Sequence, residues 1–234
     1  MERVGILCAS DTELEPFLPH INRCTITDKA MLRFYHGQMK GVQTIALYSG
    51  VGKVNAAVAA QLLIDTFEAT ALLNVGTAGG MDPRLQVFDT VISTESAYHD
   101  MDDDILTDFH PWLSAPLFRA DARMLRTAQQ TAEGNPSVYF GRMATGERFI
   151  EEEGRQAIWE RYAPLSVDME TAAVAHVCYV NQIPFLSIRT ITDTALQSGG
   201  EAFEQNCRRA SAVAKDIALD FLEAYGLADR EGGR

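Results

Sequence analysis

Apolar positions along the 234-residue chain come in short runs that alternate with amphipathic stretches. Residues 3–9 (RVGILCA) are apolar at consecutive positions and then meet polar SDTELEP, which predicts a buried strand ending in a loop or helix start. Residues 31–49 (MLRFYHGQMKGVQTIALYS) read as a hairpin, with Lys40-Gly41 at the turn and β-branched and aromatic residues on both sides. In SGVGKVNAAVAAQLLIDTF, glycines open a helix whose Val54, Ala57, Val58 and Leu62, three or four apart, give it a buried face. ATALLNVGTAGG predicts an apolar strand that stops at a glycine-rich turn, where backbone can approach a ligand closely.

The alternation continues to the end of the chain. It runs through a strand in TVISTESAY, a helix in ADARMLRTAQQTA, a strand in SVYFGRMAT and a charged helix in EEEGRQAIWERY. A short SVDM strand, the ETAAVAHVCYV helix, the PFLSIRTIT strand and a long helix from about Glu201 to Tyr225 follow. Strands alternating with helices, several of them apolar on both faces, predict an α/β fold with a central mixed, largely parallel sheet between helical layers. No linker, low-complexity run or internal repeat divides the sequence, so one domain is expected over 1–228, with a frayed tail at 229–234. In such sheets ligands gather beyond the carboxyl ends of the strands.

Composition narrows the partners. A formal net charge of −12 sets the summed field against a phosphate backbone or an anionic membrane, whereas a neutral or cationic small molecule is admitted. No run reaches the roughly 18 apolar residues of a membrane span, and MERVGILCAS lacks the pattern of a secretory signal. Cys8, Cys24, Cys178 and Cys207 are scattered without CxxC pairing, which fits buried free thiols in a reducing cytoplasm and gives no zinc motif.

Three acids follow closely on apolar strands: Glu13 after VGILCAS, Glu170 after SVDM, and Asp193 at the end of PFLSIRTIT. If those strands run parallel, the three side chains emerge at one sheet edge, where neighbouring carboxylates push each other's pKa values apart and one can stay protonated. Each also has a plainer reading. Glu13 could be a solvated residue of a helix's first turn, Glu170 a helix-start acid without a ligand, and Asp193 an Asx-turn or helix cap. The residues by themselves leave the chemistry open.

Taken in order, VGILCASDTELEP, HGQMKGVQTIALYSGVGKVNAA, LLNVGTAGG, DTVISTESAYHD, TGERFI, VDMETAAVAHVC and PFLSIRTITDTA resemble the nucleoside phosphorylase and hydrolase superfamily. Within it they resemble the bacterial 5′-methylthioadenosine/S-adenosylhomocysteine nucleosidases, and the matching segments span nearly the whole chain. The resemblance implies a nucleoside phosphorylase-like fold and hydrolysis of the N-glycosidic bond of 5′-substituted adenine nucleosides. Asp193 corresponds to the general acid at purine N7, oriented by Thr192, and Glu13 to the base that draws a proton from water. Glu170 corresponds to the carboxylate that grips the ribose hydroxyls, with Met169 against the sugar face. Phe149 and Ile150 match the segment that meets adenine, Ala78 and Gly79 the turn beside the purine, and Val51 and Phe203 the apolar 5′-thioether pocket. No metal or cofactor is implied, and the expected partners are a nucleoside, water and a second copy of the chain.

The same fold hosts phosphorylases, which need a cationic pocket. The hexameric bacterial type carries an arginine where this chain has Asn74, and glycine and arginine in the first loop where this chain has Asp11 and Glu13. Acids where an anion must sit are unfavourable, so water is the expected nucleophile. Ser49, Gly50 and Gly52 could be read as a phosphate cradle, but a lone glycine turn is weak evidence for one. The stretch 99–116 fits the family pattern poorly. Its Phe109, His110, Pro111 and Trp112 either line a 5′ pocket, reaching a neighbouring subunit's site, or pack in an interface.

Overall fold

Strand β1 (Arg3–Cys8) shows how the layers divide: Val4, Ile6 and Cys8 join one apolar cluster, while Leu7 joins another on the opposite face. Alternation of period two on a strand buried on both sides requires a helical layer over each face. The computed structural model describes residues 2–151, 154–195 and 199–232, the last four of these by backbone alone. After β1 come a one-turn helix α1 (Asp11–Leu14), a 3₁₀ turn (Glu15–His20), and strands β2 (Asn22–Lys29), β3 (Leu32–Met39) and β4 (Val42–Tyr48). Helix α2 (Lys53–Asp65), β5 (Ala71–Gly80), β6 (Thr90–Tyr98), α3 (Asp103–Thr107), β7 (Phe118–Arg119) and α4 (Ala122–Thr131) follow. The chain is completed by β8 (Val138–Thr145), α5 (Arg155–Tyr162), β9 (Ser166–Asp168), α6 (Thr171–Asn181), β10 (Phe185–Asp193) and α7 (Gly200–Gly232). Of the tail expected at 229–234, residues 233 and 234 lie outside the described residues.

One mixed sheet contains every strand, in the order β10-β6-β8-β9-β5-β1-β4-β3-β2, with β7 on β6. Because β10 also pairs with β5, the strands β5, β9, β8, β6 and β10 close into a ring from which β1, β4, β3 and β2 extend. Parallel pairings join β1 to β4 and β5, and β5 to β10, so these carboxyl ends share one edge. Short β9 instead runs antiparallel to β5, with Val167 opposite Gly79. Glu170 therefore reaches the shared edge by returning over the end of β5, and not by leaving a parallel strand as expected.

Helices α2 and α6 pack together over one face, and α7 lies on β10 and β5 over the other. The face predicted for α2 is corrected by the structure. Ala56, Ala59, Ala60 and Leu63 are the buried positions, Ala57 and Leu62 are half-buried, and Val54 and Val58 are exposed. Alanine on α2 meets alanine on α6 at Ala172, Ala173 and Ala175, and small side chains let two backbones approach. A second correction concerns β5, which continues through Gly76, Gly79 and Gly80 where a turn was expected. The hairpin turn at Lys40-Gly41 has both residues at positive φ, as a two-residue connection demands. Strand β2, which the hydrophobic pattern does not reveal, is exposed along its length and carries Cys24, so this thiol is not buried as expected. Among the described residues no helix is long and apolar enough to cross a membrane.

Leu63 is the largest α2 side chain sealed in the interface with the sheet. Leu63→Ala should cost about 2–5 kcal/mol of unfolding free energy, read from the midpoint of urea denaturation.

Candidate active site

Glu13 is held by a local motif and a distant strand together. Ser10 and Glu13 form a capping box at α1: Ser10 Oγ accepts from Glu13 N, and Glu13 Oε2 accepts from Ala9 N at 2.7 Å and Ser10 N at 3.2 Å. Its other oxygen, Oε1, accepts from Thr77 N and Thr77 Oγ1, both at 2.8 Å. This contact explains the glycine in β5, since a Cβ at position 76 would lie 2.5–2.7 Å from the Glu13 carboxylate. Glu13 is thus a first-turn acid but a buried one, whereas Asp11 beside it is exposed and outside the cavity.

Glu170 precedes α6 and is buried. Its Oε1 accepts from Gly52 N at 2.9 Å, and Oε2 lies 3.2 Å from Arg189 Nη2. Burial raises its pKa to about 7. Asp168 and Glu13 add to the rise, and Arg189 and the Gly52 N–H oppose it. The N–H that a phosphate cradle would offer at Gly52 is therefore already taken by a carboxylate, and Ser49 Oγ is turned to the carbonyls of Cys8 and Gly50.

Asp193 ends β10, where a bulge next to Ile191 turns its side chain toward Gly79. Thr192 Oγ1 donates to Asp193 Oδ1 at 2.8 Å, and Oδ2 is buried with no partner among the described residues. Burial raises the pKa of this acid, with Thr192 and Arg155 pulling the other way and Glu151 adding to the rise. Burial thereby raises the proton affinity of Asp193 above that of an ordinary aspartate.

The sequence reading missed the residue that joins these acids. Arg189 is 1% exposed. It donates through Nη1 to Thr77 O (3.1 Å) and through Nη2 to Asn74 Oδ1 (2.7 Å). Its ion pairs reach Glu170 at 3.2 Å, Asp168 at 3.7 Å and Glu13 at 3.9 Å. A charged residue within the apolar run PFLSIRTIT was the available signal, because an arginine inside a fully buried strand requires partners. Asp168, which the sequence reading placed at the strand-to-helix corner without a role, accepts through Oδ1 from Thr145 Oγ1, Glu170 N and Thr171 N, which fixes the head of α6. Asn74 lies behind the cavity and accepts from Thr171 Oγ1 and Arg189.

A cavity of about 220 Å³ opens between these groups. Glu13, Val51, Ala78, Gly79, Phe149, Met169, Glu170, Thr192, Asp193 and Phe203 all line it, together with Asp168 and Arg189. Ile150 does not line it and borders an adjoining recess of about 30 Å³ with Phe149, Met169 and Asp193. Phe149 and Phe203 meet edge to face, ring centroids 6.0 Å apart, and Phe149 is exposed, so it is not a core aromatic. Among the described residues lining the cavity Arg189 is the one cation, and three carboxylates surround it. None of the residues 99–116 lines this cavity, and Phe109 and Trp112 are exposed. No group of His, Cys, Asp or Glu among the described residues has an arrangement suited to a metal ion. Chemically, the site offers an acid of raised proton affinity at Asp193, a firmly oriented carboxylate at Glu13 and a second acid at Glu170, around space for a ring-sized ligand.

The family model of the Phosphorylase superfamily matches residues 3–223. A 5′-methylthioadenosine/S-adenosylhomocysteine nucleosidase from Bacillus thuringiensis (strain Al Hakam) is 33% identical over 94% of this chain and 98% of its own. Among solved structures, the Neisseria meningitidis nucleosidase of the same name, in complex with methylthio-immucillin-A, is 29% identical. It superimposes with a TM-score of 0.88 over 96% of this chain and 100% of that one. Futalosine hydrolase of Helicobacter pylori, 23% identical with a TM-score of 0.86 over 95% of this chain and 97% of its own, shares the fold.

Proton linkage at Glu170 gives a stability test. The folded state holds this proton to about pH 7 and the unfolded chain releases it near 4.5, so the folded state binds more protons between those values and stability falls as pH rises through that window. Glu170→Gln removes the effect. Relative to wild type the variant should gain on the order of 3 kcal/mol between pH 5 and pH 8, measured by chemical denaturation across that range.

Proposed function

Since the chain belongs to the phosphorylase superfamily and, within it, to the 5′-methylthioadenosine/S-adenosylhomocysteine nucleosidases, we propose that it hydrolyses the N-glycosidic bond of 5′-substituted adenine nucleosides. The observation that carries this reading is the cavity itself: four acids, Glu13, Asp168, Glu170 and Asp193, face one space, and the one cation among its described lining residues is already compensated by carboxylates. Phosphate would meet an excess of negative charge there, whereas water would not.

In this reading the C1′–N9 bond stretches first and the ribose gains oxocarbenium character, as in glycoside hydrolysis. Asp193 gives its proton to N7 as the base departs with the bonding electrons, and the burial that raises its pKa supports that role. Water adds to C1′ while Glu13 takes its proton. The four donors on Glu13 leave its carboxylate little freedom, which supports a fixed base. Glu170 and Met169 hold the ribose, and the net negative surroundings favour its developing positive charge. Ala78, Gly79, Phe149 and Ile150 face the base, and Val51 and Phe203 take the 5′ substituent. The products are adenine and a 5-substituted ribose, and the enzyme serves salvage of the methionine-derived nucleosides in the cytoplasm.

A homodimer completes the proposal. Val51, Val54 and Val58 around the start of α2 and Tyr179 and Val180 on α6 are exposed apolar side chains on two helices that pack together, and Ile105, Phe109 and Trp112 are exposed as well. Exposed apolar side chains on this helix pair support an interface, and in the proposed dimer Phe109 to Trp112 reach toward a partner's 5′ pocket.

Incubation with methylthioadenosine in phosphate-free buffer should release adenine and a reducing sugar. Release that requires added phosphate, with ribose 1-phosphate chemistry in the product, would reverse the assignment. Asp193→Asn should lower kcat by about 10²–10⁴ with little change in Tm. In light scattering, wild type should run as a dimer and Val54→Glu as a monomer.

A further inference from the structure

The first N–H groups of a helix have no partner within it, and Gly52, which precedes α2, has no side chain to cap them. Two carboxylates from different parts of the chain take that place. Gly52 N donates to Glu170 at 2.9 Å, and Lys53 N donates to Glu147 Oε1 at 3.2 Å. Glu147 belongs to the segment between β8 and α5 that carries Phe149 and Ile150. The same segment is tied a second time: Glu147 N donates to Asp100 Oδ2 at 2.8 Å, and Asp100 Oδ1 lies 2.7 Å from Lys53 Nζ. Lys53, Asp100 and Glu147 therefore form a closed ring of contacts between three segments, with the ammonium also 5.2 Å from the centre of the Tyr98 ring.

The ring differs from an ordinary surface ion pair. The Lys53 and Asp100 side chains are only 18% and 29% exposed, and each carboxylate of the ring also accepts from a backbone N–H that has no other partner among the described residues. Burial pushes Asp100 up, but Lys53 and the Glu147 N–H outweigh it and leave its carboxyl below the usual range. Backbone geometry is fitted to the same contact: Gly52 has φ +101°, and a Cβ there would come within 2.9 Å of Glu147 Oε2. At the base of the segment, Gly146 N donates to Asp168 O, and His99 N donates to Thr145 O. Gly146 and Glu147 thus anchor the start of segment 146–150 to the β9–α6 corner, to Asp100 and to α2.

We propose that Lys53, Asp100 and Glu147 are positioning residues that fix segment 146–150, and so Phe149 and Ile150, in register with Glu170 through the shared N-terminus of α2. The inference rests on the nucleoside reading above. Its physical content is that the base-facing wall and the ribose carboxylate are two attachments to one helix end, so opening the ring misplaces the wall while the reacting groups Glu13 and Asp193 keep their own contacts. Ground-state binding then suffers more than the chemical step.

Steady-state kinetics with methylthioadenosine and calorimetry with free adenine test this. Asp100→Asn and Lys53→Met should each raise KM and the adenine Kd on the order of tenfold, with kcat kept within about threefold. Lys53→Arg should recover most of the affinity. The double variant should be no worse than either single one, because a ring opened once is open. A merely structural role would instead lower kcat and Tm together at constant KM, and that result, unchanged adenine binding, or additive losses would each overturn the proposal. Wild-type protein that binds adenine but releases none from nucleosides would sink the catalytic reading and leave the adenine arm to judge the ring.

Discussion

One guanidinium, removed from water and shared among three carboxylates, is the constraint on which the site depends. Arg189 sits in the middle of β10, yet its partners come from α1, β5 and the β9–α6 corner. Charges buried this deeply are tolerated only with close pairing, so each of those elements must arrive in register for the others to be stable. Acids outnumber the cation three to one, and the excess is relieved by the high proton affinity of Glu170. The result is a pocket with an unfavourable potential for anions and a favourable one for a ligand that becomes cationic as it reacts.

Room for this arrangement comes from absent side chains. Gly76 gives space to the Glu13 carboxylate and Gly79 to that of Asp193, while β5 stays in an extended conformation. Closing the five-strand ring supplies the rest, because the three residues of β9 are pinned on one side by β8 and on the other by the last residues of β5. That double pairing is what aims the residues after Asp168 back over the sheet edge.

Much of this was legible in the sequence. Apolar runs marked β1, β5 and β10, the Lys40-Gly41 turn marked a hairpin, and the acids that follow the strands pointed to the cavity where Glu13, Glu170 and Asp193 lie. The failures have physical reasons. On α2 the buried stripe is made of alanines, so larger valines on the other side carried the apparent periodicity. Glycines that usually signal turns here serve close approach within a strand. Three residues of β9 carry no information about strand direction, so neither its antiparallel course nor the ring could be read. Arg189 was missed and Asp168 was given no role because their importance lies in contacts more distant than any local pattern, although an arginine amid apolar neighbours was a visible anomaly.

Among the described residues, ring closure leaves the sheet with a single long unpaired margin, β2, far along the strand order from the cavity. Such a margin can template β-sheet growth between molecules. Here it carries Arg23, Asp28 and Lys29, with Ile26 its lone large aliphatic side chain, and a residue at positive φ and a register shift near its start break the regular ladder. These features discourage aggregation at the one place where the architecture invites it, and they do so without drawing on any residue of the pocket.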